Sequence, residues 1–345
     1  MNASESRTLA RMLRLLAALA ILTCFLVPAF ADEHVIVAAQ RLPANGALFI
    51  ADARGYFKAE GLDVEMIAYA SEGDVAQAVA SGTADVGLSA YSPQAFEYAG
   101  QGLIKFVAGQ ISEKKGFEGA EVVTSTSAWM KGTRQIEKLA GNDVAFSGTP
   151  AHFQLTQIAR AKKIDIAGIT LKPMPTEEGV ARAVATQKVH AAILSDSYAR
   201  DLLMGSQAQL IGWYSELAGP LQLGAVFAST KLLETKRATA EKFVRAYRRG
   251  AADYAGMLEL DRSGKRSMTV VTRELATIIA RYAYPGHPLG RAAASVEGAA
   301  LPIEPGARLV IEDLARQLAW CREQKLVETS ADAKEMVDDA LAIGR

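Results

Sequence analysis

The sequence predicts an α/β protein built from two similar lobes, and three observations support this. Half of the 345 residues are hydrophobic, enough for a large core shared between two domains or held in one elaborate one. Strand-like apolar runs alternate with helix-like stripes from His34 onward, so that the first hundred residues read βαβαβ. A stretch of this alternation then recurs 105 positions later.

The recurring stretch is Glu72 to Pro93. Val75, Ala76, Val79 and Ala80 follow the i, i+1, i+4, i+5 spacing of a buried helix stripe, which Ser81-Gly82 stops. Ala84 to Leu88 is a short run of small and β-branched residues, suited to a strand covered on both faces. Ser89 to Pro93 is a polar loop entering a helix, with Ser92 at the N-cap and Pro93 at the first helical position. Glu177 to Ser195 repeats the design. Glu72 aligns with Glu177, Val75-Ala76 with Val180-Ala181, and Ala78-Val79-Ala80 with Ala183-Val184-Ala185.

Taken in order, residues 1–31 read as a cleaved export signal. Arg7, Arg11 and Arg14 form a basic start, Leu15 to Val27 an apolar middle, and Ala29-Phe30-Ala31 a small-x-small cleavage site. The apolar run is shorter than the roughly 20 residues a membrane span needs. Cys24 lacks the small preceding residues of a lipid-attachment site, so cleavage after Ala31 fits better. A chain cleaved there keeps one cysteine, Cys321, and forms no intramolecular disulfide; beside Trp320 it reads as a buried apolar residue. It keeps 35 basic against 37 acidic side chains, with no basic stripe for nucleic acid.

Strands are expected over His34 to Gln40, Asp63 to Ala68 and Leu103 to Gln110, with a helix over Ala47 to Arg54. Glu121 to Thr126 reads as a strand leaving the first lobe, and Arg134 to Ala140 as a short helix. Asp143 to Phe146 is the next strand. Ser147-Gly148-Thr149-Pro150 then repeats the Ser-Pro arrangement, with Thr149 as N-cap and Pro150 first in a helix reaching about Lys163. Ile169 to Lys172 is a strand, and Ser195-Asp196-Ser197 a further loop and cap. Leu210 to Tyr214 and Leu221 to Ala228 carry the chain back to the first lobe. Beyond Lys231 the pattern is helical, over Ala238 to Leu260, Thr272 to Tyr284, Arg308 to Glu323 and Ala333 to Ala342.

This alternation predicts largely parallel sheets with helices on both faces, and ligands then meet the loops at the carboxyl ends of the strands. In the first hundred residues the loops that qualify are Arg41 to Gly46, Tyr69 to Asp74 and Ser89 to Pro93, and Ser147 to Pro150 and Ser195 to Ser197 are the later helix entries. They supply Asn45, Gly46, Ser89, Tyr91, Ser92, Ser147, Thr149, His152, Ser195 and Asp196 as candidate ligand contacts, with Trp213 beside the return crossing. Hydroxyls and helix N-termini at these positions favour an anion, because their N–H groups are unpaired and the dipole end is positive. Tyr91, His152, Trp213 and Tyr214 suit a flat or apolar body. The plain alternatives are that Ser92 and Thr149 only cap helices, that Asp196 is a cap partner or hinge acceptor, and that Trp213 packs a hinge.

Enzyme signatures are missing. No serine lies in G-x-S-x-G, there is no H-E-x-x-H, and the four histidines lack metal-ligand spacing. Gly-rich phosphate loops are absent, so no cofactor is expected.

The run Pro43 to Ala51, with Gly55 to Glu65, resembles the solute-binding proteins of nitrate, sulfonate, taurine and thiamine-precursor ABC importers. So do Ala80-Ser81-Gly82-Thr83-Ala84-Asp85-Val86-Gly87 and Ser147 to Pro150. The resemblance covers roughly residues 35–260. It implies a type II periplasmic-binding-protein fold: two α/β lobes with mixed sheets, two crossover segments, and a helical C-terminal part packed on the first lobe. It places lobe I at residues 32–118 and 222–345 and lobe II at 119–221. It further implies a periplasmic monomer that closes on a small organic anion and hands it to a membrane permease and its ATPase. A periplasmic sensor feeding a receptor is the alternative within the same fold. Thiamine-pyrimidine synthases share the fold but use an iron-binding cysteine cluster, which this chain lacks.

Overall fold

The computed structural model describes residues 32–259 and 269–343. The predicted export signal lies outside the described residues. Five strands, β1 (Glu33–Ala39), β2 (Leu62–Ala68), β3 (Val86–Ala90), β4 (Ile104–Gly109) and a returning strand at Gly224–Ser229, form one sheet. Between β4 and that return come β5 (Ser112–Glu113), β6 (Ala120–Ser125), β7 (Asp143–Ser147), β8 (Thr170–Met174), β9 (Ala191–Ser195), β10 (Ala208–Trp213) and β11 (Leu221–Gln222). The returning strand is therefore β12. The first sheet runs β2-β1-β3-β12-β4 and the second β10-β6-β9-β7-β8, while β5 and β11 pair as a separate two-stranded ladder.

Both sheets are mixed, as the resemblance implies, and not largely parallel as the alternation alone predicts. β1 and β3 are parallel, but β12 comes back antiparallel between β3 and β4. In the second sheet β7 is parallel to β8 and β9, whereas β6 is antiparallel to β9 and β10. β6 and β12 are the strands reached through a crossing, and each crossing enters its sheet from the end facing the other. The two crossings meet in the β5–β11 ladder, where Leu221 opposes Glu113 and Gln222 opposes Ser112.

Among the described residues, the helices of eight residues or more are α1 (Gly46–Ala53), α2 (Glu72–Ala80), α3 (Pro93–Gly100), α4 (Gly148–Ala161), α5 (Glu177–Ala185), α6 (Asp196–Met204), α7 (Arg237–Gly256), α8 (Val270–Ala283), α9 (Leu289–Ala299) and α10 (Ile311–Glu323). The repeat is structural: α2 with β3, and α5 with β9, are offset by the same 105 residues. Their caps match too. Ser71 Oγ accepts from the Asp74 N–H at 3.2 Å, and Thr176 Oγ1 from the Gly179 N–H at 3.1 Å. Arg134 to Ala140, expected as a helix, keeps only a 3₁₀ turn at Ile136–Leu139.

The C-terminal helices α7 and α8 pack on α1 in a core that includes Phe49, Phe57, Phe243, Tyr247, Tyr254 and Ile279. A second core is continuous across both sheets. It runs from Phe96 and Phe106, beside the first, to Val144, Phe153 and Ile193, beside the second, and contains Trp320 of α10. The C-terminal part thus also reaches α4 through α10, and α6 through α9.

Candidate functional site

The carboxyl ends of β3 and β7 deliver α3 and α4 to a common crevice. At β3 the chain turns through Tyr91 and Ser92 into Pro93. Ser92 is the N-cap, its buried hydroxyl accepting from the Ala95 N–H at 3.1 Å, and Pro93 has no N–H to satisfy. Tyr91 stacks on Phe96 with ring centroids 5.7 Å apart and meets Phe106 edge-on at 5.7 Å. Its hydroxyl points at Gln222 Oε1 over a long 3.5 Å, and burial pushes the phenol well above its usual range. Ser89, still on β3, donates its hydroxyl to the Ala90 carbonyl at 2.9 Å.

At β7 the entry differs from the sequence expectation. Ser147, not Thr149, is the N-cap, and α4 begins at Gly148. Gly148 has φ +76°, a left-handed conformation that a glycine adopts without a Cβ penalty. This bends the chain into the helix two residues before Pro150, which sits inside the first turn where a missing N–H costs nothing. Ser147 makes no capping hydrogen bond with its side chain, so the α4 N-terminus is not satisfied from within.

His152 lies against Phe146 (centroids 4.8 Å, stacked) and against the edge of Trp320 at 5.0 Å. Burial lowers its pKa, favouring the neutral ring. The crevice is lined by Tyr91, Phe96, Thr149, Pro150, Phe153, Gln317, Trp320 and Cys321. It is partly open to solvent and has about 180 Å³ between atoms, in slots too narrow to seat a water molecule. Tyr91 and Thr149 are the two sequence candidates brought together on its walls.

The remaining candidates lie elsewhere. Asn45 donates to the Gln40 carbonyl at 2.8 Å and accepts from Gln110 Nε2 at 2.7 Å, and Gly46 is buried beneath Tyr254 and Ile279. Ser195 is tied to Glu177, its N–H at 2.8 Å and its hydroxyl at 2.9 Å. Asp196, at the first turn of α6, is gripped by Arg200 through both oxygens, at 2.9 and 2.7 Å. Trp213 ends β10, and its indole N–H is buried without a partner.

Polar residues that the sequence did not single out cluster at the crossings. Glu113 is 1% exposed. Its Oε1 accepts from the Ala120 N–H at 2.8 Å and from Gln154 Nε2 at 3.1 Å, while Oε2 is unpartnered. Burial raises its pKa to about 7, against which the two hydrogen bonds act only in part. A Cβ on Gly119 would collide with this carboxyl, so the glycine makes room for it. The hydroxyls of Ser112 and Ser215 are likewise buried and unpartnered, as is that of Tyr214, which the sequence offered for the apolar body of a solute. Glu121, on β6 opposite Trp213, is raised to about 7 by burial and by the charge of Asp196.

Gln222 is the centre of the crossing. Its N–H donates to Asp313 Oδ2 at 2.6 Å, and its carbonyl accepts from Gln317 Nε2 at 3.0 Å. Its side chain donates to the Arg308 carbonyl and accepts from the Val310 N–H, at 3.0 and 2.9 Å. One signal was available for it, a lone amide inside the apolar run Leu221 to Ala228. Among the described residues no group of three or more His, Cys, Asp or Glu side chains could hold a metal ion.

The sequence model of a family described as NMT1/THI5 like matches residues 43–256. Against curated protein sequences the chain has no significant match. Solved structures resemble it over most of their length. The periplasmic aliphatic sulphonate binding protein SsuA from Escherichia coli is 14% identical, with 89% of this chain and 92% of that chain covered and a TM-score of 0.68. The alkanesulfonate-binding protein SsuA from Xanthomonas axonopodis pv. citri, bound to MOPS, is 16% identical, covering 90% and 99% at a TM-score of 0.63. A mutant of DSZB in complex with biphenyl-2-sulfinic acid is 11% identical, covering 90% and 98% at 0.58. The likeness establishes the fold, a type II periplasmic-binding-protein architecture.

Proposed function

We propose that this chain, which belongs to the NMT1/THI5-like family, is the periplasmic solute-binding component of an ABC importer. It captures a small organic anion, a sulfonate or carboxylate, and delivers it as a monomer to a membrane permease and its ATPase. The observation that carries this reading is the arrangement of two five-stranded sheets joined through one β5–β11 ladder, with α3 and α4 starting at facing strand ends. Lobe I comprises residues 32–118 and 222–345 and lobe II residues 119–221. Bending at the ladder lets the two close on the solute.

The anion is held at the α4 N-terminus, where the Ser147 hydroxyl and the first backbone N–H groups have no capping partner and the helix dipole is favourable. The neutral His152 ring and Tyr91 border the same place. Two observations support binding over catalysis. The structures named as binding proteins have TM-scores of 0.68 and 0.63, against 0.60 for the desulfurization enzyme DSZB and 0.58 for its mutant. The Cys321 thiol is buried and pushed up to about 12, which leaves it without nucleophilic thiolate at neutral pH.

Native mass spectrometry of protein taken from its own periplasm, with identification of the released small molecule, tests the reading. A stoichiometric organic anion is expected. A bound cation or neutral sugar sinks the anion assignment, and turnover of an added compound sinks the binding role.

A further inference from the structure

Beside α3, α4 and α10 the two halves of the fold share one apolar core. Trp320 sits at that junction, 1% exposed. Its ring meets His152 edge-on at 5.0 Å and Phe153 at 5.4 Å. It also lines the crevice that Tyr91 and Phe96 wall on one side and Thr149 and Pro150 on the other. The crevice lies where β3 and β7 end, the position at which open α/β sheets take their ligands. A side chain of the protein itself therefore fills the apolar half of this place.

The helix carrying the ring is fixed to the crossing. Asp313 and Gln317 hold the Gln222 backbone, and Glu323 pairs with Arg160 of α4. The indole cannot leave without breaking those contacts or giving up its own burial. Displacing a buried ring of this size costs a ligand roughly one to two orders of magnitude in affinity.

We propose that Trp320 is a specificity-determining residue that fixes the upper size of the solute. With the indole in place the crevice has no room for an aromatic body, so a sulfonate or carboxylate that carries one is excluded and one whose body is no larger than a short alkyl group, staying outside the crevice, is not. This rests on the solute-binding reading above and names the size class of its ligand.

The test compares the full wild-type chain with Trp320→Phe and Trp320→Ala. The probes are methanesulfonate, phenylmethanesulfonate and neutral indole, read by thermal shift and titration calorimetry. The wild type is expected to bind methanesulfonate and to discriminate against phenylmethanesulfonate. Trp320→Ala should bind phenylmethanesulfonate at least about tenfold more tightly than the wild type does, and indole should stabilise that variant alone. Trp320→Phe, which keeps a ring in the core, should show part of the same gain and guards against a folding defect in the alanine variant.

If no sulfonate stabilises any of the three proteins while indole still stabilises Trp320→Ala, the plugged crevice stands and the anion reading falls. Unchanged discrimination in both variants overturns the proposal, as does an alanine variant that indole does not stabilise.

Discussion

Replacing Glu113 by Gln should remove a pH dependence of stability without loosening the crossing. In the folded chain the carboxyl is 1% exposed and its pKa is raised by burial from 4.5 to about 7. A carboxyl whose pKa rises on folding holds its proton more tightly in the folded state. Its contribution is therefore full below about 4.5 and lost as pH rises through about 7. The shift corresponds to about 3 kcal/mol in all, most of it lost between about pH 5 and pH 8. Gln keeps an oxygen for the Ala120 N–H and Gln154 Nε2, and its NH₂ stands where the protonated oxygen would be. Urea unfolding at intervals across that range is the assay. The wild type should lose stability relative to Glu113→Gln by roughly that amount, so that the variant is the more stable protein at the alkaline end. Parallel curves for the two proteins would refute the reasoning, since Glu113 would then titrate alike folded and unfolded.

Three further outcomes follow. Ser92→Ala removes the acceptor of the buried Ala95 N–H and should cost about 1 kcal/mol in the urea midpoint analysis. Gly148→Ala forces a Cβ into a backbone at φ +76° and should cost roughly 1–2 kcal/mol. It should also weaken anion binding measured by calorimetry, because the free end of α4 is re-aimed. Asp313→Ala strands the Gln222 N–H in the crossing and should lose about 2 kcal/mol, while Asp313→Asn, which retains an acceptor, should lose less.

What the sequence disclosed was what local chemistry decides. The Glu72 and Glu177 repeats, the Ser92-Pro93 helix entry and the amphipathic α7 all appear where periodicity and capping place them. The second Ser-Pro copy misled, because Gly148 between the serine and the proline takes a positive φ and starts the helix early. Spacing of residue types does not encode that bend. The mixed sheets were equally hidden from the alternation. β12 lies between β3 and β4 by pairing residues 224–229 with residues 86–90 and 104–109, a choice made by distant segments. Cys321 was legible as buried, but neither it nor its neighbour Trp320 as part of the crevice, since nothing local to α10 says that it packs against α4.

The buried acids also bear on which solute the cleft tolerates. A fully ionised Glu121 beside Asp196 would repel an anion arriving at the neighbouring helix N-termini. Burial and the charge of Asp196 raise its pKa to about 7, favouring the neutral acid, and an approaching anion favours it further. Asp196 is already matched by Arg200 at 2.7 Å. The negative charge of these two acids is therefore compliant where it is not paired. On the proposed reading, a solute held this way would be selected by the size of its body more than by the strength of its charge, which would put the burden of discrimination on the packed rings around Trp320.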